Sequence, residues 1–324
     1  MCGSALKLPV SQETIPIVQL PQKIPDERCH ALGMSSRRSS SCILRLMLIL
    51  MALAGVRVAA LNPDWTTPFP AHRIAGNLYY VGSRDLAAFL VVTPAGNILI
   101  NSNLESSVPQ IRSSIESLGF KFSDTKILLI SHAHLDHDAG SAAIKRLIGA
   151  KYMVMDDDVP VVEDGGWTDF AYGHKKSESY PKAKVDRVLH DGDEVRLGGA
   201  VLVAHKTPGH TRGCTTWTMK VSDHGKSYDA VIIGSPNVNP GYRLAGRPSY
   251  PGIAEDYEHT FQTLKALHCD LFLGAHGAYY GMVGKYARLQ NGDQNAFVDP
   301  SGYAAYVAER EAVFRKELKK QQSQ

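Results

Sequence analysis

The segment His132-Ala133-His134-Leu135-Asp136-His137 follows directly on the apolar run Lys126–Ser131. Four metal-binding side chains within six residues need a tight loop delivered from the end of a strand. The run before them reads as a strand buried on both faces. His132 and His134, two apart, can converge on one metal ion. Asp136 and His137 follow at once and must point elsewhere, so a second metal nearby is expected. Zinc suits imidazole nitrogen with carboxylate oxygen, and a catalytic zinc needs three protein ligands and an open position. Further ligands must therefore come from far along the chain. His210, in Thr207-Pro208-Gly209-His210-Thr211, and His276, in Gly274-Ala275-His276-Gly277, are placed for this. Each follows a strand and sits among glycines, where backbone can approach an ion closely.

The rest of the chain is organised to fit. Asn77–Gly82, Ala88–Thr93, Asn97–Ile100 and Tyr152–Met155 read as strands, and Val108–Leu118 and Ala139–Ile148 as helices. A second succession follows, with strands at Asp186–Leu189, Glu194–Leu197, Ala200–His205, Thr215–Val221, Ala230–Ile233 and Leu271–Leu273. Ile253–Leu267 and Ala304–Lys320 read as helices. Two strand-rich halves, each with helices, predict an α/β fold of two packed mixed sheets with helices outside, an αββα sandwich. The polar, aromatic-bearing stretch from Glu163 to Pro181 is long enough to cover a site.

The N-terminus reads differently. Arg37-Arg38, the apolar run Ile43–Val56 and Val58-Ala59-Ala60 have the order of a secretory signal peptide, with an uncleaved anchor helix as the alternative. Met34 would give a conventional start. Residues 1–60 are thus expected to be an extension and signal, and 61–324 one hydrolase domain, periplasmic or secreted, with no stable membrane span after cleavage. Seven of the 35 Lys and Arg lie in residues 1–60 against three of the 32 Asp and Glu. The remainder, 28 basic and 29 acidic residues, has no basic stripe, which argues against nucleic-acid binding. Of five cysteines, Cys2, Cys29 and Cys42 fall in the N-terminal segment. Cys214 and Cys269 are expected to be free and buried.

His-x-His-x-Asp-His, with Pro-Gly-His-Thr and a late strand-end His, resembles the metallo-β-lactamase superfamily over nearly all of residues 61–324. The resemblance implies a first zinc on His132, His134 and His210, and a second on Asp136, His137 and His276. Related thioester hydrolases carry a bridging acid after the strand that here ends in Gly234-Ser235-Pro236-Asn237. Ser235 at this place, with Asp136 and His137, resembles subclass B3 of the metallo-β-lactamases. Trp65, Gly76-Asn77-Leu78-Tyr79, Asn237–Tyr242 and Glu255-Asp256-Tyr257 agree with that subclass.

The implied activity is hydrolysis of the β-lactam amide of penicillins, cephalosporins and carbapenems by a metal-held hydroxide oriented by Asp136, giving antibiotic resistance. Ser235 and Asn237 are candidates for gripping the substrate carboxylate, with ordinary turn capping the alternative for each. A monomer is expected. The rival readings are a lactone or thioester hydrolase of the same fold and a non-catalytic secreted zinc protein. Asn101 departs from the acid often found behind this metal site, so metal binding is expected to be weaker.

Overall fold

The computed structural model describes residues 62–323. The expected signal segment, Met34, Cys2, Cys29 and Cys42 lie outside them. Seven strands form one sheet in chain order: β1 (His72–Ala75), β2 (Leu78–Tyr80), β3 (Phe89–Thr93), β4 (Gly96–Ile100), β5 (Thr125–Leu129), β6 (Lys151–Met155) and β7 (Arg187–Leu189). The first four are antiparallel, and β4 to β7 run parallel. The second sheet holds β8 (Glu194–Leu197), β9 (Ala200–Lys206), β10 (Thr215–Asp223), β11 (Lys226–Ile233) and β12 (Leu271–Gly274). It is antiparallel apart from the parallel pair β11 and β12. The expected sandwich of two mixed sheets with helices is the observed architecture.

Period-two alternation divides the core. Phe89, Val91, Ile98, Ile100, Ile127, Leu129, Met153 and Met155 point into the space between the sheets, where Trp217, Met219 and Val221 meet them. The alternate residues Leu90, Leu99, Leu128, Tyr152 and Val154 face outward into a second cluster. There α1 (Val108–Ser117) supplies Val108, Ile111 and Ile115, one apolar stripe at helical spacing. Leu135–Asp138 forms a single turn, α2, and α3 (Ser141–Ile148) ends at Gly149, whose φ of 66° closes the helix. On the other side, α5 (Ile253–Ala266) and the closing helix α7 (Pro300–Gln322) meet through Tyr257, Phe261 and Phe314. None of the described helices is long and apolar enough to cross a membrane. Cys214 and Cys269 are free and buried, as expected.

Besides the single turn α2, three elements lie outside the sequence-based expectation. β1 is only four residues and contains His72 and Arg73. The helices α4 (Val159–Asp164) and α6 (Met282–Gln290) are short, and α6 buries Lys285 on its inner face, which hides its period.

His72 itself carries a prediction. It is 6 % exposed and boxed by Phe69, Tyr80, Tyr286 and Phe297. Its Nδ1 donates to the Pro70 carbonyl at 2.9 Å, and its Nε2 is buried without a partner. Burial lowers its pKa from 6.5 to about 4. The folded state therefore favours the neutral ring. That stability is full above pH 6.5 and is lost as pH falls toward 4, amounting to roughly 3 kcal/mol. The stability lost between pH 7 and pH 4, read by denaturant unfolding, should be smaller in His72→Phe than in wild type by about this amount. Equal losses would remove His72 from the acid response.

Candidate metal centre

Every expected ligand leaves the end of a strand, and these ends gather at one edge of the sandwich. β5 delivers His132 to His137, β9 leads to His210, and β12 to His276. The sheets are joined there. Thr215 N–H donates to the Ser131 carbonyl at 2.7 Å, and the Trp217 indole N–H to the Ile130 carbonyl at 3.0 Å. Ala87 N–H donates to the Ala275 carbonyl at 2.9 Å, holding the His276 strand against the first sheet. Gly209 is a backbone requirement beside His210. Its φ is 123°, and a Cβ there would lie 2.8 Å from the Tyr257 ring.

His132, His134 and His210 offer ring nitrogens that all lie within 4.8 Å of one another, as do ligand atoms of His132, Asp136 and His137. Asp136 Oδ2 is 3.3 Å from His137 Nε2 and 3.4 Å from His276 Nε2, and those two nitrogens are 3.1 Å apart. The six residues thus form one cluster with two lobes. Burial, then the neighbouring imidazoles, hold His132 well below its usual pKa and bring His210 to about 3. Neutral imidazoles have the lone pairs a cation needs. Burial alone would raise the Asp136 carboxyl, but His137 and His276 hold it well below the usual carboxylate range.

The outer ring nitrogens are tied to protein. His276 Nδ1 donates to Asp85 Oδ2 at 2.9 Å, and His210 Nδ1 to the Asn237 carbonyl at 2.9 Å. His132 Nδ1 lies 3.2 Å from Ser131 Oγ, and His134 Nε2 faces Asp169 Oδ2 at 3.7 Å. Such ties fix which nitrogen turns inward. Burial opposes protonation of His276, yet Asp136 and Asp85 raise it to about 9. A dication held between these groups would take the place of that proton. The fit to a metal rests on packing five imidazoles and a carboxylate this closely, with their ring nitrogens and carboxylate oxygen turned toward one another.

Asn101 closes the floor. Its φ is 68°, a left-handed conformation that Asn tolerates. Its Oδ1 accepts from Ser131 N–H at 2.8 Å and its Nδ2 donates to the Ala87 carbonyl at 3.1 Å. An acid could make the first bond but not the second. The amide therefore anchors the start of the His132 loop.

Ser235 is buried, and its Oγ pairs with the Tyr279 hydroxyl at 3.2 Å. Asn237 is half-buried, and its Nδ2 donates to the same hydroxyl at 2.9 Å. Its N–H also donates to Ser235 Oγ at 3.4 Å, a turn contact. Within the stretch from Glu163 to Pro181, Asp169 and Tyr172 reach His134, and Phe170 packs on Tyr242 and Tyr250. Asp85, Asp169 and Tyr279 were not legible as site residues, since no local pattern marks them.

The family model of the metallo-β-lactamase superfamily matches residues 85–276. The native FEZ-1 metallo-β-lactamase from Legionella gormanii superposes with a TM-score of 0.79 and 59 % identity, covering 80 % of this chain and 98 % of that one. BJP-1, a subclass B3 metallo-β-lactamase of Bradyrhizobium japonicum, gives 0.76 and 37 % identity, covering 81 % and 98 %. A probable metallo-hydrolase of Burkholderia pseudomallei is 28 % identical over 149 residues. The chain spans about half the length of the curated relatives it matches.

Proposed function

Because the chain belongs to the metallo-β-lactamase superfamily, we propose that it is a subclass B3 metallo-β-lactamase that opens the β-lactam amide of penicillins, cephalosporins and carbapenems. The observation that carries this reading is the meeting of His132, His134, His210, Asp136, His137 and His276 in one largely buried, two-lobed cluster. Two zinc ions per chain are proposed, the first on His132, His134 and His210, the second on Asp136, His137 and His276. Bound zinc would supply Lewis acidity and an acidified water near neutral pH.

The chain's own groups do the rest. Asp136 stays ionised at neutral pH and would accept a hydrogen bond from the attacking water, orienting it toward the lactam carbonyl. Water adds to that carbon, the ring C–N bond breaks, and the departing nitrogen takes a proton. Asp85 keeps the His276 ring in one orientation throughout. Asn237 and Tyr279, both half-buried, form the reachable part of a polar cluster suited to the substrate carboxylate, and Ser235 supports it from behind.

We further propose that residues 1–60 are removed on export, that residues 61–324 act as a periplasmic or secreted monomer, and that the activity confers antibiotic resistance. A panel of penicillin, cephalosporin, carbapenem, lactone and thioester at equal enzyme loading tests the reading. The expected order puts all three β-lactams far ahead. Preference for the lactone or thioester would replace this proposal with its rival. The strand end at Gly234–Asn237, which has no acid to bridge two metals, favours the β-lactams.

A further inference from the structure

The turn Asp156–Asp158, which ends β6, has no role in the chemistry above, yet it touches both loops of the first ligand set. Asp158 is 1 % exposed. Its Oδ2 accepts from Ala133 N–H, between His132 and His134, at 2.9 Å, and from the Thr211 hydroxyl, next to His210, at 2.8 Å. Its Oδ1 accepts from Gly213 N–H at 2.8 Å. One carboxylate therefore spans the loop that carries two imidazoles and the loop that carries the third.

The surrounding contacts leave these loops little room to part. Asp156 Oδ1 and Asp157 Oδ2 each accept from Lys206 Nζ at 2.6 Å, at the head of the His210 loop. Residues 206–213 are thus held by the same turn at both ends. A Cβ on Gly213 would fall 2.5 Å from the Asp158 backbone nitrogen. On the far side, the Tyr180 hydroxyl donates to the Ala133 carbonyl at 2.9 Å.

We infer that Asp158 is a positioning residue for the first metal set, holding the His132–His134 loop against the His210 loop so that three imidazoles are gathered before an ion arrives. This rests on the reading that those three residues bind zinc. Preorganised ligands bind more tightly, because the ion does not have to order the loops. A carboxylate that served only to stabilise the fold would lower the melting temperature of metal-free and zinc-loaded protein alike and leave zinc affinity unchanged.

The test uses the full chain, Zn2+ alone and a competing chelator of known affinity, with thermal unfolding recorded with and without zinc. Asp158→Ala should weaken one of the two zinc equivalents by about tenfold or more. Asp158→Asn, which keeps the volume and one acceptor, and Thr211→Val, which removes one hydroxyl, should weaken it less. The zinc-dependent rise in melting temperature should shrink in the same order. Affinities within about twofold of wild type in the folded variants overturn the inference. Thr211→Val alone decides it if neither Asp158 variant folds. A wild-type chain that binds no zinc removes the reading beneath it. A wild type that binds, beside variants that bind equally well, removes only the positioning role.

Discussion

Alanine in place of His210 or of Asp136 is expected to cut kcat/KM for a cephalosporin by at least about a hundredfold while the chain remains folded. The two substitutions act on different lobes. Without His210, His132 and His134 are left as a pair, one donor short of what a catalytic zinc requires. The hydrogen bond from His210 Nδ1 to the Asn237 carbonyl goes as well, but that carbonyl still accepts from the Tyr257 hydroxyl at 2.7 Å. Without Asp136, the second lobe keeps His137 and His276 but loses its carboxylate, and with it the group that orients water. Neither side chain belongs to the apolar core between the sheets. Circular dichroism therefore separates loss of chemistry from loss of structure. Near-normal turnover in a folded variant would take that residue out of the site.

Removal of metal is expected to have a larger effect still. Dialysis against a chelator should abolish hydrolysis of a chromogenic cephalosporin, and added zinc should restore it. Clavulanate, which acts on serine enzymes, should leave turnover unchanged. Among the described residues, no serine at the site is poised for attack: Ser131 Oγ meets His132 Nδ1 but is fully buried. Ser235 Oγ is paired with the Tyr279 hydroxyl and the Asn237 N–H rather than with a base. The melting temperature should fall on chelation, because an ion that binds only the native state stabilises it by mass action. Turnover that persists in the chelator would contradict a metal-dependent mechanism.

How far these expectations could be read from sequence depends on the range of the interaction involved. The buried β5, apolar after its first two residues, and the histidine run after it are local patterns, and both appear where the residues placed them. So are the alternating strands β3, β4 and β6, whose two faces sort into two cores. His210 and His276 could be anticipated because each follows a strand and a glycine. Their supports could not. Asp85 meets His276 across 191 positions, and Asp158 meets Ala133 across 25 and Thr211 across 53. These carboxylates sit in turns with no period, and only the folded sandwich brings them to the site. Asn101 shows a similar limit. Its lack of charge predicts weaker metal binding, and only the fold reveals that its amide also makes two buried hydrogen bonds that an acid could not both make.

In the proposed mechanism, six side chains hold two zinc ions and both serve the hydrolysis. The most direct test is to add zinc stepwise to the chelated full chain and measure bound zinc and cephalosporin turnover on the same samples. Uptake should saturate at two zinc ions per chain, with full turnover reached only as the cluster fills and no such uptake when His210 and Asp136 are both alanine. Full turnover in protein that holds no zinc, or equal zinc uptake and turnover in the doubly substituted chain, would contradict it.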